Sequence, residues 1–274
     1  MVIQMPEFVT LERPSTGVAV VTMTNPAINN HGSWEGMLEL WHAMTEARQG
    51  GARVTVLASG VEGTWLHHAW LRDLSNMFQG KEVTAPNDGW FGCADEITKQ
   101  DVVTIAAISG DTSGGGCELG WACDLRVAEE GALFSQPEVR MGIGVGMGGA
   151  SRLVRLIGRT ITAEMILDGV PMTAERIYQL GGINKLVGKG QATEVAVAWA
   201  KRLASHPPAA LGAMKRMLNS SQEMTLSESV MNDQRVFQEI SGRPAAIAKM
   251  EEMQAKFDAG QSMHEAYWSD DADE

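Results

Sequence analysis

Two short segments hold the residues best suited to chemistry. Ser113-Gly114-Gly115-Gly116-Cys117-Glu118 runs three glycines into a glutamate, and Gln136-Pro137-Glu138 brings a second glutamate twenty residues later. Consecutive glycines let the backbone pass close to a bound group and present its N–H groups. Residues 116–122 can start a helix there, with Glu118 in or near its first turn. An N–H at such a helix start suits a developing oxyanion, and two carboxylates beside it suit moving protons on and off carbon. Neighbouring carboxylates share a proton because the second ionisation works against the first, so the pair can supply one acid and one base. Cys117 and Cys123 have no histidine near them in sequence and read as small core residues.

Other elements must hold these groups in place. Runs 18–23, 54–58 and 104–108 are short, rich in β-branched or small apolar residues and followed by turn formers, which predicts strands. They are apolar on both faces, as in the buried sheet of a layered α/β protein. Met37, Leu38, Trp41 and Met44 have helical spacing and predict a helix over 33–48, with Asn25-Pro26 breaking the strand before it. Residues 75–90 carry Gly80, Pro86, Asn87, Asp88 and Gly89 with little periodicity, so a long surface loop or lid is expected. Further helices are expected over 157–168 and 173–180. The stretch from 192 to about 257 is also helix-rich, with breaks at Pro207-Pro208 and Gly242-Arg243-Pro244. No internal repeat is evident. A shift in composition divides the chain into a sheet-containing core with the site, residues 1–200, and a helical C-terminal region with an acidic tail, residues 201–274.

With 274 residues, 44% of them hydrophobic, the chain can bury a substantial core. No apolar run is long enough to cross a bilayer. Residues 1–7 have no basic residue and no long apolar stretch, so neither a signal nor a transit peptide is expected. Cys93, Cys117 and Cys123 form no disulfide framework and lack metal-ligand spacing. A reducing, cytoplasmic setting and no bound metal are therefore expected. The net charge of −12 argues against nucleic acid as the main partner. Part of that charge sits in residues 269–274, read as a solvated, disordered end.

Four stretches, taken in order and spacing, carry a family likeness. They are residues 108–119 (Ile108-Ser109-Gly110-Asp111-Thr112-Ser113-Gly114-Gly115-Gly116-Cys117-Glu118-Leu119), Cys123-Asp124-Leu125-Arg126, Phe134-Ser135-Gln136-Pro137-Glu138, and Gly146-Met147-Gly148-Gly149-Ala150-Ser151-Arg152-Leu153. Together they resemble the enoyl-CoA hydratase/isomerase (crotonase) superfamily, and the similarity runs from about Phe8 to about Phe257. The resemblance implies an α/β spiral of ββα units, with C-terminal helices that build a homotrimer, often paired into a hexamer. It implies an acyl-CoA thioester as substrate, as in fatty acid metabolism, with coenzyme A arriving as part of that substrate and no separate cofactor. The thioester oxygen would lie between the N–H groups of Gly115 and Ala69, the latter in loop 63–72. Glu118 would act as base for the water and Glu138 as the acid that reaches Cα, while the N–H of Gly146 helps hold the water. His67, His68, Trp70, Leu71 and Arg72 would border the substrate. Arg72 and Lys256 match basic positions suited to coenzyme A phosphate. Isomerases of the family usually need only the second carboxylate, so the retention of both favours adding water to a 2-enoyl thioester.

Two stretches depart from the family pattern. Relatives carry small or acidic residues around Ala69, where this chain has His67, His68 and Trp70. An imidazole at position 68, where relatives have glycine, must point away or narrow the pocket. The histidine pair is either solvent-facing or an added acid/base group for an unusual substrate. Asn25-Pro26-Ala27-Ile28-Asn29-Asn30 lacks the cation that many relatives place there. These departures keep open a cofactor-free carbon–carbon hydrolase of the same fold, cleaving a β-diketone with the histidines. They also leave a binding protein that has lost catalysis, since some relatives bind RNA. The two glutamates speak against both alternatives, and the acidic balance against the second.

Overall fold

The three apolar runs form strands where the sequence places them, and their alternation sets the architecture. The structure, a computed structural model, describes residues 8–268. The segment 1–7 and the acidic run 269–274, with the readings placed on them, lie outside the described residues. Along the chain the strands are β1 (Val9–Ser15), β2 (Val18–Met23), β3 (His31–Gly32), β4 (Val54–Ser59), β5 (Gly63–Thr64) and β6 (His67–Ala69), then β7 (Val103–Ile108), β8 (Gly110–Ser113), β9 (Leu125–Glu129), β10 (Leu133–Ser135), β11 (Met172–Thr173) and β12 (Lys185–Val187). The helices are α1 (Trp34–Gln49), α2 (Leu71–Phe78), α3 (Asp88–Thr98), α4 (Gly115–Ala122), α5 (Gly149–Ile157) and α6 (Arg159–Asp168), then α7 (Ala174–Gln179), α8 (Ala192–Ser205), α9 (Pro208–Ser221), α10 (Leu226–Ser241), α11 (Pro244–Asp258) and α12 (Met263–Trp268).

The main sheet has the order β1-β2-β4-β7-β9-β12. Strand β1 is antiparallel to β2, and every other pair is parallel. A parallel neighbour requires a crossover. Here the crossovers share a pattern: after β4, β7 and β9 the chain enters a short strand, β5, β8 or β10, before helices return it. These short strands stack in a second sheet, β11-β10-β8-β5. This is the spiral of ββα units that the resemblance implies.

Residues on one face of the main sheet, among them Val20, Val56, Ile105 and Val127, pack with α8 through Ala192, Ala196, Ala200 and Ala204. Alanines every fourth residue form a smooth helical stripe. The alternate residues, including Val21, Leu57, Ala106 and Ile108, share a core with α1, α3 and α4. The chain divides into two compact units, Met1–Gly212 and Ala213–Glu274. Helix α8, which spans the boundary expected at residue 200, keeps its alanine face through Ala204 in the core of the first unit. In the second unit a capping box of Thr225 and Glu228 starts α10, Pro244 opens α11, and Arg216 pairs with Glu239 at 2.9 Å. No helix among the described residues is long and apolar enough to cross a membrane.

Two local expectations are corrected. Residues 75–90 are not one long loop: α2 runs to Phe78 and α3 begins at Asp88. Leu71, Leu74 and Met77, then Trp90, Cys93 and Ile97, give each helix an apolar face, and only 79–87 remain between them. The helix expected over 157–168 starts two residues later, as α6 at Arg159, because Gly158 adopts φ 80° and separates it from α5, which ends at Ile157.

Candidate active site

Strand β8 delivers the chain to Gly114, whose φ of 50° and ψ of −125° lie outside the range of ordinary residues. A side chain at Gly114 would begin 2.6 Å from His68 Cβ and 2.8 Å from Glu138 Oε1. At Gly115 it would begin 2.7 Å from the Trp90 ring. The glycines therefore answer close contacts, and they allow α4 to start directly at Gly115. The first N–H groups of a helix have no partner along the helix, and Gly115 supplies one of them at the wall of a cavity of about 320 Å³.

Ala69 lines the same cavity. Its strand β6 pairs with β3, but the register slips by one residue: His31 faces His67, while Gly32 faces Ala69. The Trp70 N–H donates to the Gly32 carbonyl at 2.9 Å. Such a bulge re-aims the backbone locally. Helix α2 follows at once, and its Asp73 accepts from the Trp34 N–H at 3.1 Å, tying α2 to the start of α1.

Glu118 and Glu138 both line the cavity, although they are only 3% and 6% exposed. Glu118, in the first turn of α4, accepts on one oxygen from the Met147 and Gly149 N–H groups, each at 2.7 Å. The loop before α5 thus fixes this carboxylate with backbone donors. Glu138 stands at the start of a 3-10 turn, Glu138–Met141. Burial pushes its carboxyl up to about 7; its own backbone N–H opposes the rise and the charge of Glu118 adds to it. The Gln136 amide, in the orientation that gives both its ends partners, donates to both Glu138 oxygens at 3.1 Å.

The rest of the wall is largely apolar and comes mainly from α1, α2, α3 and the segment after Glu138: Trp34, Leu74, Met77, Trp90, Ile143 and Met147 are among its residues, with Asn87 also on the wall. Phe78 and Phe91 also line it and are largely exposed. Of the residues singled out in the sequence, the cavity gathers Glu118, Glu138, Ala69, Gly115, Gly146, His68 and Leu71. His67, Trp70 and Arg72 lie behind or beside it. His67 is half-buried, with Nδ1 3.0 Å from Ser113 Oγ. Burial, then the neighbouring His31 and His68, lowers its pKa to about 4. His68 Nδ1 lies 2.9 Å from the Ala69 carbonyl oxygen. The exposed Arg72 guanidinium stands 6.0 Å from the centre of the Trp70 ring. Lys256 belongs to the second unit, where its ammonium donates to the Ala266 carbonyl at 3.3 Å.

The site also holds residues that the sequence did not announce: Trp34 and Trp90 on the wall, the Met147 and Gly149 N–H groups on Glu118, and His31 against His67 and His68. The helical spacing of Trp90 with Cys93 and Ile97 is a legible signal for the first of these. Backbone donors leave none. All three cysteines are buried and none is in a disulfide. Burial pushes Cys117 up to about 12 and Cys93 well above its ordinary value, as befits core thiols. Among the described residues, no group of three or more His, Cys, Asp or Glu is placed to hold a metal ion. A second cavity of about 550 Å³, bordered by Glu62, Asp111, Glu129 and Lys189, contains none of the candidate residues.

The ββα spiral is the crotonase fold. The chain belongs to the enoyl-CoA hydratase/isomerase family, whose sequence model matches residues 13–259. A relative named "Probable enoyl-CoA hydratase 2, mitochondrial" from Arabidopsis thaliana is 31% identical over 239 residues, spanning 86% of this chain and 79% of the relative. One named "Probable enoyl-CoA hydratase" from Rhizobium meliloti is 31% identical over 241 residues, spanning 85% and 92%. The crystal structure of enoyl-CoA hydratase from Mycobacterium tuberculosis superposes with a TM-score of 0.78 at 28% identity, covering 90% of this chain and 97% of that one.

Proposed function

We propose that the protein hydrates 2-enoyl-CoA thioesters. The observation that carries this reading is the asymmetry of the two glutamates on one cavity. Glu138 is pushed up to about 7 and is available as a proton donor near neutrality, while Glu118 is held by two backbone N–H groups as a fixed acceptor. In the proposed step Glu118 takes a proton from water and the hydroxide oxygen bonds to Cβ. The π electrons move onto the thioester oxygen, which the Gly115 and Ala69 N–H groups stabilise. Glu138 then protonates Cα, and the charge on oxygen returns to the carbonyl. Gly146 borders the space where the water would sit. The step leaves the proton on Glu118 and Glu138 ionised; passing that proton back to Glu138, directly or through solvent, resets the pair, so the reading needs no cofactor beyond the coenzyme A that the substrate carries. Arg72 is the proposed phosphate contact of the first unit.

The names of the relatives support the hydratase reading over an isomerase, as does the retention of both carboxylates. The hydrolase alternative gains little, because His67 does not line the cavity and is engaged with Ser113. The second unit exposes Leu226, Met231 and Phe237, which supports a homotrimer or hexamer built through these helices. Crotonyl-CoA consumption, compared with turnover of a cyclic β-diketone, tests the proposal. Hydration of the first supports it, and cleavage of the second alone would replace it.

A further inference from the structure

One set of side chains has no part in that reaction. The His31 ring lies 4.8 Å from that of His67 and 4.6 Å from that of His68. Ser113, at the end of β8, joins them: its Oγ is 3.0 Å from His67 Nδ1 and accepts from the His68 N–H at 3.3 Å. A serine beside a histidine is the pairing of a nucleophile with its base. Neither Ser113 nor His67 lines the cavity, however, whereas the adjacent His68 does. Their use must lie in what they hold. Ser113 stands two residues before Gly115, and His67-His68 directly precede Ala69.

We propose that Ser113 and His67 are positioning residues for the oxyanion hole: a relay from the His68 N–H through the Ser113 hydroxyl to His67 Nδ1 fixes the strand carrying Ala69 against the strand leading to Gly115. The proposal rests on the enoyl-thioester reading for the two N–H groups whose spacing matters. Ser113 Oγ accepts from the His68 N–H and still has its own proton to give. The relay assigns that proton to His67 Nδ1, with the ring proton on Nε2; the 3.0 Å contact itself fits either direction. Burial keeps His67 neutral, so that acceptor is present throughout the neutral range. The Leu66 carbonyl already accepts from the Ser113 N–H at 3.3 Å and from Thr112 Oγ1 at 2.7 Å. Those bonds align the two strands one step earlier. The extra residue of the bulge lies beyond them, without a regular ladder to hold it, and the Ser113 hydroxyl carries the tie across that gap.

The test uses Ser113→Ala, His67→Ala and His67→Asn, the last of which restores an amide near the Nδ1 position. Two quantities are read: kcat and KM for crotonyl-CoA, and, without turnover, the red shift of bound para-dimethylaminocinnamoyl-CoA, which reports carbonyl polarisation by the two donors. Misplacing a reacting group by about 1 Å costs on the order of a hundredfold, so both alanine variants should lose at least about tenfold in kcat with KM within about twofold. They should also lose most of the spectral shift, and His67→Asn should recover both. Native kcat and native shift in the alanine variants would overturn the relay. So would a rise in KM alone, or a His67→Asn variant as impaired as His67→Ala. If Ser113→Ala does not fold, the His67 pair decides. A wild-type protein that shifts the probe but hydrates no enoyl-CoA would sink the hydratase reading, and the relay would be judged on the shift. An unshifted probe in the wild type would overturn both.

Discussion

Replacing Glu138 by glutamine should stabilise the protein at alkaline pH while removing most of its turnover. The Glu138 carboxyl is raised from its ordinary 4.5 to about 7, chiefly by burial. The native state therefore holds the proton more tightly than the unfolded chain does. The associated stability is fully present below 4.5 and is lost as pH rises through about 7. A shift of this size corresponds to roughly 3 kcal/mol. The Gln136 amide facing both oxygens favours the charged form and trims the loss to about 1–3 kcal/mol at pH 8. Glutamine copies the shape of the protonated acid and does not ionise. Wild type and Glu138→Gln should therefore melt together near pH 4. Near pH 8 the variant should melt higher, by about 2–4 °C for each kcal/mol. The same ionisation should appear in kinetics: kcat/KM for hydration falls as pH rises through about 7, where the proton donor is lost. Thermal melts across this range, read beside the pH–rate profile, check both. A stability difference between the two proteins that does not change with pH would refute the account of Glu138.

Other substitutions probe the rest of the site. Gly115→Ala would begin a side chain 2.7 Å from the Trp90 ring and push the donor N–H aside; a lost oxyanion donor costs about 3–4 kcal/mol of barrier, so kcat should fall on the order of a hundredfold or more, and a variant with native kcat would contradict that placement. His68→Gly removes an imidazole from the cavity wall but keeps the backbone N–H that reaches Ser113. Its crotonyl-CoA turnover should equal or exceed that of the wild type, and collapse of activity would mean that the imidazole takes part. Light scattering at micromolar concentration should report a homo-oligomer, and a particle of 29.5 kDa would refute assembly.

What the sequence disclosed follows physical rules. Strands β2, β4 and β7 are buried on both faces, so their sequences are apolar on both faces. The glycine triplet was legible because its backbone has to pass against His68, Glu138 and Trp90, and no other residue allows that. Helices α2 and α3 were missed although Leu71, Leu74 and Met77, and Trp90, Cys93 and Ile97, carry helical spacing. The turn formers between them, Gly80 and Pro86 to Gly89, outweighed that spacing. Backbone donors such as Met147 and Gly149 leave no trace in residue type. The His67–Ser113 contact spans 46 residues of chain and depends on how β6 and β8 meet, which no local pattern encodes. His31 reached the site through a two-residue strand, too short for periodicity to reveal.

The central claim is that two carboxylates divide the work of adding water to a carbon–carbon double bond. Turnover of crotonyl-CoA by the wild type, Glu118→Gln and Glu138→Gln tests it most directly, with thioester affinity measured on the same proteins. The account predicts that the wild type forms the 3-hydroxyacyl thioester, and that each variant loses at least about a hundredfold in kcat while binding the thioester nearly as well. Near-native hydration by either variant, or a wild type that leaves crotonyl-CoA untouched, would contradict it.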